Sequence, residues 1–178
     1  IDKIARLTKA AVEEAVASLA PADMYCATVE VPEEGFVHDS RKPLVRDKNM
    51  YLWRFTKPGT EQTIATCVNW GNHPECLGGS NPMLTSDFVH YVRKGLEEGV
   101  PDPNGVQGFG GICVFFQGML GGLANPLHVQ PVKRDGSGVV EEGTFEKAEH
   151  LGYNAAILAA KALRGPDVWK NEKPFVAV

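Results

Sequence analysis

Apolar residues fall at steps of three and four over residues 1 to 19, where Ile4, Leu7, Ala11, Val12, Ala15 and Leu19 share one side and Lys3, Lys9, Glu13 and Glu14 lie mostly elsewhere. That spacing predicts an amphipathic helix, which Pro21 ends. From Met24 to Val31 the period changes to two, with Tyr25, Ala27, Val29 and Val31 on one face, as in a strand. Pro32 to Lys48 is charged and irregular and reads as a loop. Two further strands, Met50 to Thr56 and Glu61 to Asn69, flank Lys57-Pro58-Gly59-Thr60, whose Pro-Gly pair predicts a hairpin turn. Thr85 or Ser86 caps a helix running to about Glu98. Its apolar face is Phe88, Tyr91, Val92 and Leu96, and Asp87 lies in its first turn, where the helix dipole favours a carboxylate. Ile112 to Phe116 is apolar on both faces, the pattern of a central strand covered by helices. After a polar stretch with a turn at Arg134 to Gly138, Thr144 opens a last long helix that stops near Gly165-Pro166. Strands mixed with three helices predict an α/β fold, a mixed β-sheet with flanking helices.

Composition narrows the function classes. The 178 residues fit one domain, and 43% hydrophobic with 22% charged residues is ordinary for a globular chain. A net charge of −4 leaves no basic stripe for phosphates, so nucleic acid is excluded as the expected partner. No apolar run approaches the ~20 residues of a membrane helix. The four cysteines, Cys26, Cys67, Cys76 and Cys113, have no CxxC spacing. They read as buried thiols, with a Cys67 to Cys76 disulfide as the alternative in an exported protein. Ile1 opens inside a helix, and Phe175 to Val178 reads as an unfinished strand, so residues 1 to 178 are expected to be one domain fragment of a longer polypeptide.

Two loops carry the candidate chemistry. His73 follows an apolar strand in Asn69-Trp70-Gly71-Asn72-His73-Pro74-Glu75, on a turn where an imidazole can ligate Zn²⁺. A hydrogen-bonded histidine is the alternative. Glu75 and Asp87 could stand behind it, or serve as a solvated Glu and a helix cap. His38, His90, His128 and His150 have no ligand spacing, and His90 and His150 are expected on polar helix faces. Gln117 to Pro126 is glycine-rich and follows a buried strand, so its amides could meet an anion or a developing oxyanion, or the glycines could serve tight packing. It lacks GK[ST], and Gly108-Phe109-Gly110 precedes its strand, which argues against nucleotide binding. Arg41 could clamp a carboxylate or phosphate from the charged loop, or be an exposed solubilising arginine, the commoner fate of such a residue.

The run NWGNHPECLGGSNPMLTSDFVHYVRKGLE, with VFFQGMLGGLANPL after it, resembles the amino-terminal catalytic domain of the neutral/alkaline ceramidase family over roughly residues 1 to 165. The resemblance implies an exported zinc-dependent amide hydrolase, at the cell surface, in the periplasm or secreted, with a small lipid-like substrate. It implies that His73 is a zinc ligand, that Arg41 is the active-site arginine, and that Gln117, Gly118, Gly121 and Gly122 line the substrate pocket. The family's other ligands, from an upstream His-x-His and a downstream Glu and Tyr, would come from the remainder of the same polypeptide. In the family's GDVSPN hexapeptide the serine is catalytic; here Ala124 holds its place and Gly122 that of the acid. The sequence therefore points to a hydrolase in which metal-activated water replaces the serine, or to an inactive relative serving as a surface structural or binding module.

Overall fold

In a computed structural model of the chain, residues 1–120 and 123–174 are described. Five strands form the main sheet: β1 (Asp23–Glu30), β3 (Asn49–Thr56), β4 (Thr63–Trp70), β7 (Ile112–Gln117) and β9 (Trp169–Lys170), in the order β7-β4-β3-β1-β9. All neighbours are antiparallel except β4 and β7, which are parallel. Three helices accompany it, α1 (Asp2–Ala17), α2 (Phe88–Glu97) and α3 (Phe145–Ala162). This is the expected mixed α/β architecture. Two small sheets complete it, β2 (His38–Asp39) with β8 (Ala124–Asn125) and β5 (Gly99–Val100) with β6 (Val106–Gln107).

One face of the sheet carries the core. The cross-strand row Ala27, Leu52, Val68, Phe115 is directly paired through β1, β3, β4 and β7, and α2 and α3 pack over that side. Trp70 stacks edge-on against Phe88 of α2, ring centres 5.5 Å apart, and both are fully buried. Small residues let the two helices close on each other: a Cβ on Gly95 would sit 2.6 Å from that of Ala156, and one on Gly152 would strike the Phe88 carbonyl. Thr144 caps α3 through a bond from the Lys147 amide, as its sequence position predicts.

The opposite face is apolar too. The row Trp169, Cys26, Trp53, Cys67, Val114 crosses all five strands in register, flanked by Met24, Phe55, Ala65, Ile112 on one side and by the more polar row Thr28, Tyr51, Asn69, Phe116 on the other. Ile112, Phe116 and Trp169 are 60%, 48% and 51% exposed. α1 does not cover it, because no residue of α1 is buried.

Several expectations change. β7 is an edge strand among the described residues, not a central one: its apolar pattern identified a strand with two apolar faces, but only one is covered. The cap of α2 is Asp87 itself, at φ 54°, rather than Thr85 or Ser86, whose place is outside the turn. The loop 32–48 contains β2. His150 is half-buried rather than solvated, its Nδ1 accepting the Arg134 amide at 3.2 Å, whereas His90 is exposed as expected. All four cysteines are free thiols, so the disulfide alternative is not formed. Phe175 to Val178 lies outside the described residues.

Candidate functional site

β4 and β7 run parallel and finish together, Trp70 opposite Gln117, so the chain leaves both strands at one end of the sheet. Such strand ends are where α/β proteins hold ligands. Two glycines let the outgoing segments touch. A Cβ on Gly118 would lie 2.7 Å from the Gly71 nitrogen, and one on Gly71 would strike the Met119 carbonyl. The Gly118 amide donates to Trp70 O at 2.9 Å, and the Gln117 side chain donates from Nε2 to Asn72 O at 3.0 Å.

His73 follows. Its amide donates to the Ala124 carbonyl at 2.9 Å, fixing the histidine turn to the glycine-rich loop. Its side chain is half-buried, and none of the described residues hydrogen-bonds the imidazole. Asn72 beside it is fully buried, with Nδ2 donating to Phe36 O at 3.1 Å and Oδ1 without a donor. On the far side of the turn the Asp87 carboxylate accepts the amides of Cys76, Leu77 and Phe88. Asp87 is thus both the cap of α2 and the anchor of residues 76 and 77.

Asp39 joins the third loop. It is buried, pairs with Ala124 across β2 and β8, and its carboxylate accepts the amides of Arg41 and Val45 at 3.0 Å and of Leu123 at 3.3 Å. The Val45 and Arg41 amides, with Leu123 behind them, hold its pKa below the ordinary carboxylate value, so it is an anion at any neutral pH. Asn125 ties in as well, donating to Ser40 Oγ and to Leu123 O and accepting from the Leu127 amide. From below, fully buried Lys147 of α3 donates from Nζ to Pro126 O at 2.6 Å and to Glu142 at 2.5 Å. The loops 36–46 and 71–77 and the segments 117–120 and 123–127 are therefore one braced assembly.

That assembly brings His73, Gln117 and Gly118 to one end of the sheet, with Arg41 on the neighbouring loop, its side chain exposed. Gln117 and the Gly118 amide are spent on tying the loops, so neither is free to meet an anion. Gly121 and Gly122 lie outside the described residues. Cys113 is pushed up to about 11 by burial, and burial, then Asp87, raises Cys76 further, so neither thiol offers a nucleophile at neutral pH. Ala124 is buried within β8. Among the described residues no three His, Cys, Asp or Glu side chains stand close enough to hold a metal ion, and none of the helices is long and apolar enough to cross a membrane. His73 would supply one ligand of the usual four.

The sequence reading missed Asp39, Asn72 and Lys147. Asp39-Ser40 ahead of Arg41 carried a signal, since a short acceptor side chain binds amides two residues on. A lysine inside a helix carries none.

No family model matches the sequence, and none of the curated proteins does. Solved structures do. The neutral ceramidase from Pseudomonas aeruginosa matches with a TM-score of 0.67 at 16% identity, over 90% of this chain and 26% of that one. A ceramidase complexed with C2 matches with a TM-score of 0.64 at 14% identity, over 90% of this chain and 25% of that one. The chain spans about a quarter of either, and over that quarter it has the fold of a ceramidase.

Proposed function

We propose that this chain is part of a zinc-dependent hydrolase resembling neutral ceramidase, exported from the cell, that cleaves an amide or related bond of a lipid-like substrate. The observation that carries the reading is His73: an imidazole with no hydrogen-bond partner among the described residues, held rigidly by its backbone at the shared end of two parallel strands, in a ceramidase fold. The chemistry such a zinc would supply, when bound, is polarisation of a carbonyl and a lowered pKa for water. His73 would be one of its ligands, the rest coming from the remainder of the polypeptide.

The chain's own groups have separate roles. Asp39 holds the first turn of the Arg41 loop through the Arg41 amide, and the guanidinium carried on that turn would serve as an oxygen clamp for the substrate. Ala124 supplies no hydroxyl, and its carbonyl is already bound by His73, so no nucleophile from this loop attacks the substrate.

Ala124 also favours the second reading, a catalytically silent relative that keeps the fold as a binding or assembly module at the cell surface. Zinc content and hydrolysis of N-acyl amides decide between them, measured on the wild-type protein and on His73→Ala. A working hydrolase binds one zinc, loses it in His73→Ala, and loses turnover with it. Equal zinc in both proteins rejects His73 as a ligand. Zinc bound through His73 without turnover on any N-acyl amide supports the silent module.

A further inference from the structure

We propose that the hairpin 131–140 is an acid-released strap, held on α3 at neutral pH by the His150 imidazole and freed from that helix when the ring gains a proton. The hairpin closes on itself by short-range bonds: the Lys133 amide donates to Gly138 O, the Val140 amide donates to Pro131 O, and Val132 bridges Val139. A different set fastens it to α3. The Arg134 amide donates to His150 Nδ1 at 3.2 Å, the Asn154 side chain donates from Nδ2 to Val132 O at 3.0 Å, and Lys133 Nζ pairs with Glu146 at 3.1 Å. The Arg134 guanidinium lies over the Tyr153 ring with Glu149 3.8 Å away. Beyond α3, Arg134 donates to Pro101 O and Asn104 donates to Arg134 O; neither bond titrates near neutral pH, so both remain as a tether.

Protonation reverses the part His150 plays. An imidazolium has a donor at both nitrogens, so the Arg134 amide loses its acceptor and meets an N–H instead. The charged groups facing the ring are Arg134 and Lys133 from the hairpin and Glu146 and Glu149 from α3. Glu146 lies 3.9 Å from Nε2 and already serves Lys133, so the new cation competes with the hairpin for one carboxylate. Burial and the Arg134 charge outweigh the two glutamates and hold the ring below the usual histidine pKa. The proton therefore binds more readily with the strap released, and release gains favour as pH falls below about 6.5. The strap is a wall of two clefts. Val132 lines one of about 300 Å³ with Phe36, Ile157 and Leu158, and Val139 lines another of about 370 Å³, so its departure opens both.

Hydrogen exchange read residue by residue between pH 7 and 5 tests the strap, on the wild type and on His150→Gln, whose amide oxygen can accept the Arg134 N–H at every pH. Corrected for the intrinsic exchange rate, protection of the Arg134 amide should fall at least tenfold more than that of the β4 amides in the wild type. In His150→Gln it should fall no more than theirs. Arg134→Gln, which removes the facing cation, should move the titration of the His150 ring, followed by its NMR shift, up toward about 6.5. Constant protection at Arg134, an equal loss in β4, the same acid response in His150→Gln, or a His150 titration unmoved by Arg134→Gln overturns the proposal. The hydrolase reading stands or falls separately, on zinc and His73.

Discussion

Lys147 is the residue whose removal tests the bracing of the site most directly. Its ammonium is fully buried and makes two bonds, 2.6 Å to the Pro126 carbonyl and 2.5 Å to Glu142. Lys147→Met keeps the alkyl stem and deletes the charge. The loss removes charge-assisted bonds worth about 1.5–3 kcal/mol each and leaves the Pro126 carbonyl unpaired at a cost of about 1–3 kcal/mol. Two effects offset this. The desolvation of the ammonium, several kcal/mol, is no longer incurred. The partner Glu142 keeps 43% of its side chain in water, so it rehydrates rather than becoming a stranded buried charge. A net loss of about 2 kcal/mol follows, which at roughly 2–4 °C per kcal/mol for a chain of this size lowers Tm by about 4–8 °C. Differential scanning calorimetry reads the shift, and hydrogen exchange should show the His73 amide, bonded to Ala124 O, exchanging faster than in the wild type. A Tm within about 1 °C of wild type, with unchanged exchange at His73, would refute the claim that Lys147 secures the glycine-rich loop.

Two further outcomes follow from the same geometry. Gly71→Ala forces a methyl against the Met119 carbonyl and should cost about 1–3 kcal/mol in urea denaturation, whereas Gly79→Ala, with open space around its Cβ, should stay within about 0.5 kcal/mol; equal effects would show that the two strand-end loops are not in contact. Burial and Arg134 push the pKa of His150 below its ordinary value, so the folded state binds a proton less readily than the unfolded chain; its contribution is complete above about pH 6.5 and fades as pH falls through the lower folded value. His150→Gln should flatten the fall in stability between about pH 7 and 5, and an unchanged slope would remove His150 from the account.

Local signals were strong where one segment decides its own structure. The Pro-Gly hairpin, the Thr144 cap and the period of α2 and α3 all needed nothing beyond a few neighbouring residues. β2 and β8 were illegible for the opposite reason. Each is two residues long, and their pairing joins Asp39 to Ala124 across 85 positions, so no local period marks either. The exposed face of α1 shows a third case: periodicity gave the helix, but it says nothing about what an apolar stripe packs against. At the site, His73 stood out because an imidazole after an apolar strand is chemically conspicuous. Asn72, next to it and wholly buried, does its work through one backbone carbonyl 36 positions away and so left no trace. Asp87 was legible as an anion near a helix start, yet its larger role is tertiary, gathering the amides of residues 76 and 77.

The bare side of the sheet bears on how any of these stabilities is measured. Anything that lies over Trp53, Cys67 and Phe116 binds the folded chain and not the unfolded one, so it adds RT ln(1 + [L]/Kd) to the apparent free energy. A detergent, a second chain or a further layer of polypeptide would all register as stabilisation. Protein concentration and surfactant are therefore thermodynamic variables for this molecule, and the Tm of a variant has meaning only at matched values of both.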